Sequence, residues 1–304
     1  MMDLKNSDQL IAELILTGKP GLVGRLGGTE ARFIGEFLKL EQRSCRFRLT
    51  LDTVEKFSYR WNKRKFEILN NAGFFPSDWR AIRRFTDLNL QALQATDVLG
   101  AWGTAFAWPE GFALGQPVLP KVTLIDFTAP WVDVRTKGGL RQGVPEYSHP
   151  WSLSLEGKRV LVVSGFSKSI STQYLKHQLI FPGKRLPKFD LRVINVPLMM
   201  GRESLDGVHW FGVLSDLMKK IEAVEFDIAL MSAGAFSLPL AHHAKKIGRI
   251  GIHAGGALQL FFGIMGNRWN TYNEVTSLIN EHWTRPLPEE RPSNALSIED
   301  SCYW

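Results

Sequence analysis

Three short glycine-bearing segments of the sequence carry polar side chains that could bind an anion. They are residues 24–30 (GRLGGTE), 164–169 (SGFSKS) and 253–259 (HAGGALQ). Each follows an apolar run typical of a β-strand and precedes a helical pattern. Glycine lets a ligand approach the backbone, and the N–H groups at a helix start attract negative charge. Each segment therefore predicts a phosphate-binding turn.

The first segment also supplies two candidate catalytic residues, Arg25 and Glu30. A guanidinium can pair with two phosphate oxygens. A carboxylate in the first helical turn opposes phosphate unless it takes a proton, orients a hydroxyl or binds a metal. Gly27, Gly28 and Thr29 are the candidate ligand-binding residues beside them. The pattern leaves open a structural role for Glu30, as a charge that complements the helix dipole.

The other two segments, with their neighbours, supply the remaining candidate binding residues. These are Ser164, Gly165, Ser167, Lys168, Gly234, His253, Gly255, Gly256, Gln259 and Arg268. The alternative for the second segment is a capped turn with an exposed lysine. The alternatives for Gly234 and His253 are close packing at a turn and a satisfied structural histidine.

The elements around these segments predict an α/β fold. Apolar runs such as 158–164 (KRVLVVS) and 227–232 (DIALMS) alternate with amphipathic helical patterns, which favours a mostly parallel sheet with helices on both faces. In such Rossmann-like folds, ligands bind beyond the carboxyl ends of the strands. We expect a single domain over 1–304, with a helical subregion at 41–95 and a turn-rich segment at 128–157.

Composition excludes several protein classes. The chain has 304 residues, a formal net charge of +7 and 44% hydrophobic residues. This composition is typical of a soluble globular protein. We expect no secretory signal and no membrane-spanning run. The sequence contains no P-loop, no G-x-G-x-x-G after a strand and no zinc-type spacing of Cys and His. It also lacks a complete G-x-S-x-G nucleophile motif.

The basic residues are concentrated in one part of the chain. Residues 41–90 contain 11 basic and six acidic side chains, with nine aromatic residues between them. Such a region could meet an anionic membrane, a nucleic acid or a phosphorylated substrate. The alternative is a set of amphipathic helices whose aromatic residues are core.

Three parts of the sequence resemble the GT-D-type glycosyltransferases of bacterial surface-polysaccharide gene clusters. Residues 24–30 are similar to the R-F-G-D-G-E segment of that family, and residues 150–174 and 226–269 are similar to two further segments. The resemblance implies a Rossmann-like fold and a nucleotide-sugar-dependent transferase acting in cell-envelope glycan synthesis. The candidate binding residues would then contact a nucleotide sugar.

One position departs from the family pattern. The D-x-E motif, which the family uses for metal and donor binding, corresponds to Gly28, Thr29 and Glu30, so its aspartate is a glycine here. Mg²⁺ and Mn²⁺ usually take one or two carboxylates. We therefore assign no cofactor to the protein. The resemblance would allow Mg²⁺ or Mn²⁺, but Gly28 in place of the family aspartate argues against a divalent metal. Arg25, Lys168 and the helix starts would neutralise the diphosphate instead.

The partners follow from the resemblance. They are a nucleotide-sugar donor and a glycan or lipid-linked acceptor. The basic, aromatic-rich residues 41–90 add an anionic membrane surface as a candidate partner. We expect a cytoplasmic protein, with peripheral attachment at the inner face of the membrane as one option, and no nucleic-acid partner. Two alternatives stay open, a nucleic-acid-binding module and another nucleotide-binding enzyme on the same scaffold.

Overall fold

The computed structural model describes most of the chain. The described residues are 7–56, 58–75, 78–101, 123–126, 151–181, 186–201, 207–271, 273–298 and 301–304. Most of the predicted turn-rich segment 128–157 lies outside them, while its last part contains a 3₁₀ turn at Trp151–Leu155.

The described strands form one seven-stranded sheet in the order β3-β2-β1-β7-β6-β4-β5, and every pairing is parallel. The strands are β1 (Gly21–Arg25), β2 (Val98–Ala101), β3 (Thr123–Asp126), β4 (Arg159–Ser164), β5 (Asp190–Asn195), β6 (Ile228–Ser232) and β7 (Ile250–His253). The α/β, Rossmann-like fold predicted from the apolar runs is confirmed.

Helices cover both faces of this sheet. They are α1 (Ser7–Thr17), α2 (Gly28–Phe47), α3 (Leu51–Lys56), α4 (Tyr59–Glu67), α5 (Trp79–Gln94), α6 (Ser167–Tyr174), α7 (His177–Ile180), α8 (Trp210–Glu222), α9 (Ser237–Lys246), α10 (Leu258–Phe261) and α11 (Asn273–Thr276). Along β4, Leu161 and Val163 face one hydrophobic cluster, while Val160 and Val162 face the other. Burial on both faces explains why the strand is apolar throughout.

Two helices differ from the sequence prediction. The helix predicted over 52–70 is interrupted near Ser58, whose hydroxyl donates to Glu36 of α2 (3.3 Å), and it ends in a π-helical turn, Ile68–Ala72. The helix predicted over 257–264 is short. A 3₁₀ turn, Gly255–Ala257, precedes α10, and the chain leaves the helix before Gly263, which has a φ of +65°.

Candidate functional site

A cavity of about 210 Å³ lies beyond the carboxyl ends of β1, β7, β6 and β4. Strands β4 and β6 are neighbours in the sheet. The connection after β4 leads to β5 on one side of this pair, and the connection after β6 leads to β7 on the other side, so the pair forms a topological switch point. Open α/β sheets bind ligands in such a crevice. Parallel strands all end at this edge, which is why segments distant in sequence meet here.

The structure brings most of the predicted residues into this cavity. Its lining includes Arg25, Gly27, Gly28, Thr29, Glu30, Gly165, Gly234, His253, Gly255, Gly256 and Arg268. The first and third glycine-bearing segments therefore face one space, because β1 and β7 are neighbours in the sheet.

Arg25 is a buried cation at the base of the cavity, with 8% of its surface exposed. Its Nη1 donates to the carbonyl of Ala254 at 3.4 Å. Gly255 leaves room for the guanidinium, since a Cβ there would lie 2.7 Å from Nη2 of Arg25. Burial lowers the pKa of Arg25 to about 10, and the nearby Glu30 carboxylate opposes that shift. The group stays charged at neutral pH, in a site where a second anion would be favourable.

His253 faces the same cavity as a neutral imidazole. Its Nδ1 lies 2.8 Å from the carbonyl oxygen of Arg25. A carbonyl only accepts, so Nδ1 carries the proton and Nε2 carries the lone pair. Burial, followed by the positive charge of Arg25, moves the pKa of His253 well below its usual value, while the backbone hydrogen bond opposes the shift. The ring can accept a hydrogen bond from a ligand hydroxyl.

We expect His253 to make unfolding pH-dependent. The folded-state pKa lies below the unfolded value of about 6.5, so the stabilisation is complete above that pH and is lost as the pH falls toward the folded pKa. Between about pH 7 and pH 5 the free energy of unfolding should fall by up to about 2 kcal/mol through this group. His253→Asn keeps an N–H donor near the Arg25 carbonyl and should lack this contribution.

Urea titrations of both proteins at several pH values measure the difference. Above about pH 7 the two curves should run parallel, since the wild-type imidazole is neutral in both states there. Curves that stay parallel down to pH 5 would show that His253 is not held neutral.

Glu30 lies at the start of α2, three residues after the N-cap Gly27. Its carboxylate folds back over Gly27 and occupies the space that a side chain there would need: a Cβ on Gly27 would lie 2.1 Å from Oε2 of Glu30. A glutamate takes this position in a capping box. Glu30 therefore lies both in the first turn of α2 and in the cavity lining.

Arg268 and Tyr303 close another side of the cavity. The Arg268 guanidinium lies 4.8 Å from the Tyr303 ring centroid, and its Nη2 donates to Sγ of Cys302 at 3.1 Å. The backbone N–H of Arg268 donates to the Cys302 carbonyl at 2.9 Å. Gly256 packs against this pair, since a Cβ there would lie 3.0 Å from the tyrosine ring. The segment 301–304 thus orients a second cation beside Arg25.

The start of α6 is already occupied by an anion from the protein itself. The Glu290 carboxylate is buried and accepts hydrogen bonds from the backbone N–H groups of Lys168 (2.8 Å) and Ser169 (3.2 Å) and from the Ser169 hydroxyl. The sequence prediction that this helix start attracts an anion was physically sound. However, Glu290 supplies the charge, so these N–H groups are not open to a phosphate.

Four predicted residues lie outside the cavity lining. The Ser164 hydroxyl accepts from the Phe166 N–H at 3.2 Å, and the Ser167 hydroxyl donates to Asn195 at 3.0 Å. Lys168 is exposed and pairs with Glu289 at 3.6 Å. The buried Gln259 donates to the Tyr303 carbonyl at 2.6 Å. The structure thus gives these side chains local contacts outside the cavity, and Ser167 and Lys168 line a neighbouring cavity that shares Gly165 and residues 196–198 with the first.

Several residues that line the cavity were not predicted from the sequence. Asn71 enters from the π-helical turn, residues 196–200 enter from the loop after β5, and Tyr303 enters from the segment 301–304. The Asn-Asn-Ala-Gly run at 70–73 reads from sequence only as a helix end. No local pattern marks Tyr303, because only the chain path brings it to Arg268.

The cavity does not have the ligand set of a divalent metal site. Among its described lining residues Glu30 is the single carboxylate, and the guanidinium groups of Arg25 and Arg268 share the space. Nowhere in the described part of the chain do three His, Cys, Asp or Glu residues cluster in a way that could hold a metal ion. Hard divalent cations require several oxygen ligands.

Comparison with known proteins gives little information on function. No family model matches the chain, and no curated protein matches it. A solved structure of a domain of unknown function, DUF1792, aligns over 93% of this chain and 96% of its own, with 11% sequence identity and a TM-score of 0.43. With this sequence identity and TM-score, the match assigns no function to the chain. In the described residues, no helix combines the length and the apolar character needed to cross a bilayer.

Proposed function

We propose that this protein is a glycosyltransferase that uses a nucleoside-diphosphate sugar. The observation that carries the proposal is the meeting of two glycine-bearing turns, 24–30 and 253–259, with Arg25 and Arg268 in one cavity at the switch point. A diphosphate needs cations and backbone N–H groups at close range. A sugar needs hydrogen-bond acceptors as well as donors, and Glu30 and His253 supply acceptors beside the guanidinium donors of Arg25 and Arg268.

The cations have a defined role in this proposal. Breaking the bond between the sugar and the β-phosphate leaves the electron pair on the phosphate oxygen, which adds one negative charge to the two that the diphosphate already carries. Arg25 and Arg268, together with the start of the 20-residue helix α2, would stabilise that charge as it develops. Arg25 is held by the Ala254 carbonyl and by its contact with Gly255, so little reorganisation is needed when the charge appears.

Glu30 and His253 would divide the remaining chemistry. Glu30 is the general base that takes the proton from the attacking acceptor hydroxyl. His253 has a depressed pKa and a lone pair on Nε2, so it is better suited to accept a hydrogen bond from a donor hydroxyl than to take a proton. The two groups thus keep separate roles in one cavity.

The acceptor class rests on the sequence resemblance. Segments 24–30, 150–174 and 226–269 are similar to those of GT-D-type glycosyltransferases, which implies a glycan or lipid-linked acceptor in bacterial surface-polysaccharide synthesis. Nucleotide sugars are made in the cytoplasm, and we propose that compartment for this protein.

A thermal-shift screen tests the donor class. UDP, GDP or dTDP, or their sugars, should raise the melting temperature, whereas NAD and S-adenosylmethionine should not. At a concentration of 100 times Kd, a ligand that binds only the folded state adds about 2.7 kcal/mol of stability. A screen in which only NAD or S-adenosylmethionine shifts the transition would overturn the donor assignment and favour a different nucleotide-binding enzyme.

Two variants locate the diphosphate. Arg25→Ala should weaken binding of the stabilising nucleotide by roughly 1–3 kcal/mol, the range for a hydrogen bond to a charged group. Lys168→Ala is the matched control, since that lysine is exposed and pairs with Glu289 outside the cavity. Titration calorimetry on both folded variants measures the difference. Equal losses, or a larger loss for the lysine, would place the diphosphate beside α6.

A further inference from the structure

The structure divides the aromatic residues of 41–90 into two groups. Trp61, Phe74, Phe75 and Phe85 are buried in the hydrophobic core, as the amphipathic-helix interpretation predicts. Phe47, Tyr59 and Phe66 are not, with exposed fractions of 61%, 89% and 68%. Core packing therefore explains only part of this region, and the exposed residues need another explanation.

The exposed group begins at the corner where α2 ends. Every residue from 45 to 50 is exposed. The backbone forms a Schellman-type end, in which the Leu49 N–H donates to the Ser44 carbonyl at 3.0 Å and the Arg48 N–H to the Cys45 carbonyl at 3.4 Å. In this motif the residue at position 49 normally packs on an apolar residue at position 44. Serine stands there instead, and Leu49 remains 43% exposed.

Arg48 occupies a backbone position that favours glycine. Its φ and ψ are +53° and +38°, in the left-handed region. An L-residue with a Cβ costs about 1–2 kcal/mol there. Arg48 thus places a positive charge at a position where glycine would be less strained.

The corner is positive because residues 43–49 contain three arginines and no carboxylate, and the nearest carboxylates contact side chains outside it. Glu41 pairs with Arg83, Glu55 pairs with Lys65, and Asp52 accepts a hydrogen bond from Trp79. In contrast, none of the three corner arginines has a carboxylate partner within the described part of the chain. These are Arg43, Arg46 and Arg48. The Arg46 guanidinium lies 5.6 Å from the Phe47 ring centroid, and all three arginines lie within six residues of the exposed Phe47 and Leu49.

We propose that this corner, residues 43–49, docks on an anionic lipid bilayer. Phe47 and Leu49 would enter the interface between headgroups and acyl chains, and the three arginines would contact lipid phosphates. Charge complementarity selects an anionic partner. A second copy of this basic corner would be repelled, and leucine lacks the π-face that stacks on a nucleobase. Both apolar side chains gain from insertion into lipid.

Helix α4 offers a second row of the same character. Tyr59, Lys63 and Phe66 are exposed and follow one another at helical spacing, on the side opposite the buried Trp61. Aromatic and lysine side chains of this kind suit the membrane interface.

The corner is separate from the cavity. Helix α2 has 20 residues and begins at Gly28 in the cavity lining, so at about 1.5 Å per residue its far end lies about 30 Å away. Docking at the corner would hold the enzyme at a membrane without blocking its ligands. It does not depend on the proposed glycosyltransferase activity, and each proposal can fail alone.

Vesicle co-sedimentation of the full chain tests the docking proposal. We expect binding to vesicles in which about a third of the lipid is phosphatidylglycerol, and much weaker binding to pure phosphatidylcholine vesicles. Arg43→Gln with Arg46→Gln should lower the partition coefficient by about fivefold for each arginine removed. Phe47→Ser with Leu49→Ser should lower it by about tenfold or more. High salt should weaken the wild-type interaction.

Matched variants on another surface serve as controls. Leu175 is 85% exposed, and Lys219 and Lys220 are exposed on α8, so Leu175→Ser and the pair Lys219→Gln, Lys220→Gln should leave partitioning unchanged. Melting temperatures confirm that all variants fold. Equal losses in the control variants, or wild-type binding that ignores lipid charge, would overturn the proposal. Tight binding to DNA that depends on the arginines and not on Phe47 and Leu49 would also overturn it, in favour of a nucleic-acid surface.

Discussion

Glu30→Gln should keep the fold and the nucleotide affinity and lose about 10²–10⁴-fold of the transfer rate, the usual contribution of a general base. Glutamine has nearly the same shape and also occurs at this position of capping boxes, so the helix start is preserved. It cannot take a proton from an acceptor hydroxyl. The rate is measured as release of nucleoside diphosphate from a panel of UDP-, GDP- and dTDP-sugars.

The structural role of Glu30 predicts a different result. If the carboxylate only complements the dipole of α2, the change should cost about 0.3–1 kcal/mol of stability and leave the rate intact. Turnover and melting temperature therefore have to be measured on the same sample. Wild-type turnover in the glutamine variant would return Glu30 to the helix cap. Loss of wild-type activity in EDTA would contradict the metal-independent site expected from Gly28.

Glu290→Ala should be among the most destabilising single changes in the molecule. The carboxylate is buried and accepts hydrogen bonds from two backbone N–H groups and one hydroxyl at the start of α6. Removing it leaves those donors unpaired inside the protein, which costs about 1–3 kcal/mol for each buried group. We expect a loss of about 3 kcal/mol in the free energy of unfolding, measured by urea titration.

Two further variants separate charge from position. Glu290→Gln keeps one acceptor oxygen and should lose roughly half as much stability. Glu289→Gln changes the same side chain one residue earlier, where the carboxylate is exposed and pairs with the exposed Lys168. Exposed pairs of this kind contribute about 0–1 kcal/mol. Similar losses for residues 289 and 290 would show that Glu290 does not cap α6.

The strands were predictable because their signal is local. Runs such as 158–164 are apolar at every position, since a parallel strand buries side chains on both faces. The same local logic located the turns that carry Arg25 and His253, because a parallel sheet places all its strand ends at one edge. The sequence could also state that the start of α6 attracts an anion.

The anion itself could not be predicted from local pattern. Glu290 lies more than a hundred residues after Ser169, and nothing near either residue encodes their meeting. The same holds for Tyr303, which reaches Arg268 only because the segment 301–304 folds over the 3₁₀ turn at Asn267–Trp269. Asn71 enters the cavity through a π-helical turn that the pattern of 68–72 does not reveal.

By itself, the sequence determined the type of fold, the turns at the strand ends and the presence of a basic, aromatic-rich region. Apolar periodicity and glycine placement act over a few residues and can be read directly. Only the tertiary structure decided which turns face one cavity, which anion-binding helix start is already filled, and which aromatic residues remain exposed. Those outcomes depend on contacts between segments that are distant in the sequence. A side chain from one segment, such as Glu290, can occupy the hydrogen-bonding groups of another segment.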